Sequence, residues 1–183
     1  MNVSCGRKAL FLDRDGVINV DRGYVHLPRQ TEWIPGIFEL CRTASELGYL
    51  LVVITNQAGI ARGYYDEAQF ETYSAWMREQ FRQRELSIAA IYHCPHHPDE
   101  GVGALRTDCD CRKPKPGMIL RAQSELGLDL SASALIGDMP SDLEAGCAAG
   151  IPQCFAFDAF DPQHQMAAAV TWLRSLSPVE IAI

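Results

Sequence analysis

Short, mainly apolar runs recur along the chain and break off at polar or small residues. Ala9 to Leu12 stops at Asp13, Tyr49 to Ile54 at Thr55, and Ala134 to Ile136 at Gly137-Asp138. Ser87 to Tyr92 and Gln153 to Phe157 are two further runs. Continuous apolar stretches of this length predict strands buried on both faces, as in a parallel sheet. Helical spacing fills the intervals. Ile37 to Leu47 closes with Gly48, a natural C-terminal stop. Residues 66 to 85 carry Phe70, Tyr73, Met77 and Phe81 three and four apart, the spacing of a core-facing helix stripe. Pro116 to Leu126 has proline near its start and Gly127 just past its end, and Ser141 to Ala149 is closed by Gly150. The alternation predicts an α/β fold: a Rossmann-like open parallel sheet flanked by helices. From about Asp158 onward the pattern assigns no element.

Composition narrows the class. At 183 residues the chain is expected to form one domain, residues 1–183. Hydrophobic residues make up 48% and charged residues 21%, and no apolar run reaches the length of a membrane span. The apolar run before the first aspartates, Ala9 to Leu12, is only four residues long, so no secretory signal is expected and the protein is placed in the cytoplasm. Seven cysteines then read as reduced thiols, and clustered ones as metal ligands. A net charge of -7 argues against nucleic acid and anionic membranes, which leaves a small-molecule ligand. No coiled-coil heptads occur, so a monomer is the default expectation.

Asp13, Thr55 and Asp138 each follow a buried strand, and open α/β sheets bind ligands in the crevice outside the carboxyl ends of their strands. The first stretch, FLDRDGVINVD, sets two carboxylates two residues apart before a glycine. A calcium loop would need an oxygen ligand at 17, glycine at 18 and an acid at 24, and Val17, Ile18 and Tyr24 reject it. The chain has no phosphate-cradling G-x-x-x-x-G-K-[ST] loop and no serine or cysteine in a recognisable nucleophile setting. A carboxylate nucleophile is the economical choice.

Residues 94 to 113, CPHHPDEGVGALRTDCDCRK, contain a second constellation. Cys94-x-His96, twelve residues, then Cys109-x-Cys111 supply four donors suited to tetrahedral zinc. A closed Cys₃His set leaves no position for water or substrate, so this zinc would be structural, stabilising the loop 94–111. Free thiols or a redox pair are the other readings. His97 reads as a solvated or supporting residue, and Cys5, Cys41, Cys147 and Cys154 as small apolar residues. Arg112 and Lys113 follow the last ligand directly, so an ion pinning the loop would also fix two cations.

These stretches carry a resemblance. DRDGV at 13–17, ITN at 54–56, Lys113 and GDMPSD at 137–142 resemble, in order and spacing, the four motifs of the haloacid dehalogenase-like (HAD-like) phosphatases. INVDRGYVH, TNQAGIARG, and CPHH followed by CDCRKPKPG resemble one branch, the D-glycero-D-manno-heptose 1,7-bisphosphate 7-phosphatases. The likeness spans roughly residues 9 to 157. It implies that Asp13 is the nucleophile and Asp15 the general acid and base. It further implies a catalytic Mg²⁺ held by Asp13, the backbone carbonyl of Asp15 and Asp138. Thr55 with the amides after it, and Lys113, would then hold the phosphoryl group, and Arg112 would recognise the substrate. By the same likeness Asp21, Arg22, Gly23 and Tyr24, with Thr55, Asn56, Gln57 and Ala58, line the sugar-phosphate site. Asp142 would orient Lys113 or a metal-bound water, or else favour a helix N-terminus.

Only about 20 residues separate Asp15 from the first helix, and about 55 separate Thr55 from Lys113, including a helix and a strand that the sheet needs. No full cap domain fits, so the zinc loop and residues 19 to 30 must select the substrate. A histidinol-phosphate phosphatase would share the fold and a zinc loop, usually with a shorter spacing between ligand pairs. A non-enzymatic, zinc-stabilised binding module is the other alternative, and the full set Asp13, Asp15, Thr55, Lys113 and Asp138 argues against it. One position departs from the branch: Met139 stands where a lysine is frequent, and a thioether cannot hold a phosphate as an ammonium does.

Overall fold

The computed structural model describes residues 6–176. Five strands form one parallel sheet: β1 (Ala9–Leu12), β2 (Leu50–Asn56), β3 (Ile88–Cys94), β4 (Ala134–Gly137) and β5 (Gln153–Ala156). Their spatial order is β3-β2-β1-β4-β5. The helices are α1 (Ile37–Glu46), α2 (Ala58–Ala61), α3 (Glu67–Arg82), α4 (Gly117–Leu126), α5 (Pro140–Ala148) and α6 (Pro162–Ser175).

Side chains alternate across a strand, and here both faces are buried. Leu10 and Leu12 of β1 join one core with Leu51, Val53 and Ile136, beneath α1, α3 and α6. Ala9 and Phe11 join the other with Val52, Ile54 and Leu135, beneath α4 and α5. This two-sided burial accounts for the unbroken apolar runs of the sequence. The stripe of α3 is buried as its spacing predicts, at Phe70, Tyr73, Met77 and Phe81. Its start is set by a capping box: Asp66 accepts from the Gln69 amide at 2.8 Å, and Gln69 accepts from the Asp66 amide at 3.0 Å.

The topology fixes where a site can form. From β1 the chain crosses to β2 and β3 on one side, then returns to place β4 on the other side of β1. That reversal opens a crevice at the carboxyl ends of β1 and β4, where Asp13 and Asp138 follow directly. Between β1 and α1 the described residues contain only a 3₁₀ turn, Pro28–Gln30, and no cap domain.

The boundaries expected from sequence move by a few residues. The strand beginning near Ser87 runs on to Cys94, which puts that cysteine on a strand end, and the helix over 66–85 stops at Arg82. The unassigned tail contains α6, whose Met166, Ala169, Val170 and Leu173 are buried in the same core as Ile37, Leu40 and Ala44 of α1. These four stand at helical spacing, but Met166 to Val170 is an unbroken apolar run that does not by itself distinguish helix from strand. Among the described residues no helix is long and apolar enough to cross a membrane.

Candidate active site

Lys113 is 4% exposed, and its ammonium lies between two carboxylates. It donates to Asp13 Oδ1 at 2.7 Å and to the Ile54 carbonyl at 3.1 Å, and pairs with Asp142 Oδ1 at 2.6 Å. Asp142 Oδ2 accepts the Met139 amide at 3.0 Å in the first turn of α5. Asp142 thus combines both expected roles, capping the helix and orienting the lysine. A side chain at Gly137 would collide with Asp142, so the glycine allows α5 to bring its carboxylate under β4.

A third carboxylate completes the cluster. One oxygen each of Asp13, Asp138 and Asp142 lies within 4.8 Å of the others. Asp138 Oδ1 is buried without a hydrogen-bond partner. The carboxylate of Asp138 also fills the space that a Cβ on Gly16 would take, and Gly16 has φ +98°, so both backbone and packing require glycine there. Burial pushes Asp13 up to about 8, with Asp142 and Asp15 adding to the shift and Lys113 opposing it. Burial and Asp142 likewise raise Asp138 to about 6. Crowded carboxylates with one orphaned oxygen fit a hard divalent cation held by oxygen ligands.

Thr55 and Gln57 lie at the end of β2, where Gln57 Nε2 donates to Thr55 Oγ1 at 2.7 Å. Asn56 exchanges two 3.1 Å hydrogen bonds with the Lys113 backbone, which ties the lysine's loop to β2. Asp15 Oδ1 accepts from Asn19 at 2.9 Å and Oδ2 from Gln57 at 3.1 Å, and the buried Arg14 pairs with Oδ2. These groups surround a pocket of about 350 Å³ whose lining includes Asp13, Asp15, Asp21, Gly23, Tyr24, Thr55, Asn56, Gln57, Ala58, Lys113 and Asp138. Met139, 55% exposed, stands at its edge.

Two residues expected at the site do not line this pocket. Arg22 pairs with Glu32 at the surface, and Arg112 donates to the His96 carbonyl at 3.2 Å. Arg14 and Asn19 were missed. Arginine and asparagine are ordinarily exposed, and their burial beside Asp15 has no signal in the sequence.

The four zinc donors converge. Cys94 and Cys109 sulfurs are 3.4 Å apart and those of Cys109 and Cys111 3.1 Å, and His96 Nδ1 is 3.8 Å from Cys94 and 3.5 Å from Cys111. A tetrahedron with metal–sulfur distances of about 2.3 Å has edges of about 3.8 Å, so this cluster can hold a metal ion with little movement. His97 is not among the donors: its Nδ1 accepts the amides of Asp99 at 3.2 Å and Glu100 at 3.1 Å. Cys41 is buried, with its thiol pushed up to about 12, as an apolar residue should be. Cys147 is exposed and departs from that expectation, because it lies on the outer face of α5, and Cys5 lies outside the described residues.

A family model described as HAD-hydrolase-like matches residues 110–156. The chain is 49% identical over 143 residues to the D-glycero-beta-D-manno-heptose-1,7-bisphosphate 7-phosphatase of Escherichia coli K12, covering 78% of this chain and 75% of the relative. It is 51% identical over 144 residues to the D-glycero-alpha-D-manno-heptose-1,7-bisphosphate 7-phosphatase of Burkholderia mallei, covering 79% and 76%. The chain belongs to the HAD-like heptose 1,7-bisphosphate 7-phosphatase family. Among solved structures, the D,D-heptose 1,7-bisphosphate phosphatase of B. bronchiseptica, complexed with magnesium and phosphate, is similar with a TM-score of 0.74 and 28% identity. That alignment covers 92% of this chain and 98% of the other.

Membership in this phosphatase family makes the protein a phosphoric monoester hydrolase and sets aside the binding module. The carboxylates of the phosphatase site generate a pH dependence with a definite sign. Their folded pKa values are raised, so the stability they allow is fully present below about pH 4 and is lost as pH rises toward 8 and ionisation is forced. A cation binds the ionised form and relieves that loss. Added Mg²⁺ is therefore expected to raise the melting temperature more at pH 8 than at pH 5. An equal rise at both values would exclude these carboxylates as ligands.

Proposed function

We propose that this phosphatase removes the 7-phosphate of D-glycero-D-manno-heptose 1,7-bisphosphate. The product, heptose 1-phosphate, would serve ADP- or GDP-heptose and surface polysaccharide synthesis. The observation that carries the chemistry is the Asp13 carboxylate at the end of β1, with one oxygen held by Lys113 and the residue lining an open pocket. The names of the relatives at about half identity support the substrate.

Asp13 Oδ2 attacks phosphorus in line, forming an aspartyl-phosphate as the bond from phosphorus to the sugar oxygen breaks. Asp15 gives its proton to that oxygen. It then takes a proton from the water that attacks the aspartyl-phosphate, and phosphate and free Asp13 result. Thr55, the amides following it and Lys113 hold the phosphoryl oxygens. Asp13, the Asp15 backbone carbonyl and Asp138 would hold Mg²⁺, which supplies positive charge against those oxygens when bound. Asp21, Gly23, Tyr24 and Asn56 to Ala58 surround the sugar. Arg22 and Arg112 take part by exchanging their present partners for the ligand. The Cys94, His96, Cys109 and Cys111 cluster holds a structural Zn²⁺ that fixes the loop carrying Arg112 and Lys113.

Phosphate release should be measured with Mg²⁺ on the α and β anomers of the heptose bisphosphate and on histidinol phosphate. A preference of about 100-fold for one heptose anomer is expected, or about 2.7 kcal/mol of differential transition-state binding. Comparable activity on histidinol phosphate would refute the substrate. Asp13→Asn should lower kcat by about 1000-fold or more with melting temperature and zinc content retained. Appreciable residual turnover would eliminate the covalent route. Cys109→Ser should lose zinc, measured by metal analysis, and raise KM, and unchanged zinc content would mean the ligand set is wrong.

A further inference from the structure

Arg14 is the largest fully buried side chain among the described residues, at 1% exposed, yet it lies between the two aspartates of the first motif. Its Nε and Nη2 donate to Asp15 Oδ2 at 3.1 and 2.6 Å, and Nη2 also donates to the Val25 carbonyl at 2.7 Å. Its guanidinium lies over the ring of Tyr73 at 5.2 Å and that of Phe70 at 5.8 Å, both from the buried face of α3. Asp15 is its carboxylate partner, and the Asp15 side chain is 19% exposed. A charge this deep is anchored by its surroundings and cannot follow a ligand into the pocket. It can hold one neighbour in place.

We propose that Arg14 is a positioning residue for proton transfer, fixing the Asp15 carboxyl so that it meets the leaving oxygen. The inference rests on the assignment of Asp15 as proton donor. In the first step the Asp13 oxygen–phosphorus bond forms and the phosphorus–leaving oxygen bond breaks. The departing electron pair on that oxygen takes the Asp15 proton. The guanidinium then faces the carboxylate that donation leaves behind, already in contact and needing no rearrangement. Asn19 and Gln57 complete the cradle, and Tyr65 donates to Gln57 Oε1 from behind. These donors hold both oxygens, Oδ1 through Asn19 and Oδ2 through Arg14 and Gln57, while Asp15 lines the pocket.

A purely structural Arg14, holding the 13–25 segment through Val25, makes a different prediction. Loss of structure lowers the rate for every substrate alike. Loss of aim at the leaving oxygen matters only where that oxygen needs a proton. Arg14→Lys keeps the charge but not the fork of donors, and Arg14→Met removes both. Wild type, both variants and Asp15→Asn should be compared by kcat/KM, which reports the step that expels the leaving group, on a sugar or alkyl phosphate and on p-nitrophenyl phosphate. For Arg14→Lys we expect a fall of about 30-fold on the alkyl phosphate and less than about 3-fold on the aryl phosphate, within the range of general acid catalysis. Equal losses on both substrates for Arg14→Lys, with Asp15→Asn selective, would overturn the positioning role alone. If Asp15→Asn itself is unselective, the assignment of Asp15 fails and this inference with it. Should Arg14→Met fail to give a cooperative melt, Arg14→Lys decides.

Discussion

The site depends on one buried ammonium. Lys113 is held by Asp13 from the end of β1, Asp142 from α5 and a carbonyl of β2, so a single charge joins three parts of the chain at the carboxyl edge of the sheet. Removing one partner of such a buried pair characteristically costs about 3–5 kcal/mol, because the remaining charge is left uncompensated. The arrangement therefore constrains everything near it. Gly137 must lack a side chain to admit Asp142, Gly16 must lack one to admit Asp138, and Asn56 must grip the Lys113 backbone from both sides.

Lys113 sits on a long polar loop, and a loop cannot hold a lysine in place without being ordered itself. Fixing each residue costs roughly 1–2 kcal/mol of conformational entropy. Few buried apolar contacts are available to offset that cost in the segment between His96 and Cys109. A metal ion in the Cys₃His cluster would do so, at about 10 kcal/mol for a structural zinc. His97, Asp99 and Glu100 add a local turn, and the Val102 amide bonds the Ala61 carbonyl at 2.8 Å, which ties the loop to α2. An ion in that cluster would thereby order the segment that ends at Lys113, the cation lining the pocket.

Absence of a cap shapes the other wall. Tyr24, with φ +56°, presents its ring edge-on to Tyr64 at 4.7 Å, and the Arg62 guanidinium lies 5.4 Å from the Tyr24 ring. A bulky residue in the left-handed region is held by its surroundings, here a loop pinned by Arg14 at Val25 and by His26 stacked on Tyr65. Asp21, Gly23 and Tyr24 of this loop line the open pocket together with Asn56 to Ala58 at the end of β2 and Met139 before α5.

Much of this was legible in the residues. Continuous apolar runs ending at Asp13, Thr55 and Asp138 determined a parallel sheet with polar groups at its carboxyl edge, because strands buried on both faces have no other pattern. The Cys94 to Cys111 spacing likewise determined a four-donor cluster, since ligand chemistry restricts which residues can gather round a metal. Tertiary structure alone decided the rest. Helix α6 joins the core through Met166, Ala169, Val170 and Leu173, whose helical spacing is masked by the continuous apolar run from Met166 to Val170. Arg22 turns to Glu32 and Arg112 to the His96 carbonyl, a choice between equivalent surface partners that sequence cannot express. Arg14 and Asn19 are buried against Asp15 because burial is a property of the assembled fold, where residues distant along the chain remove one another from water.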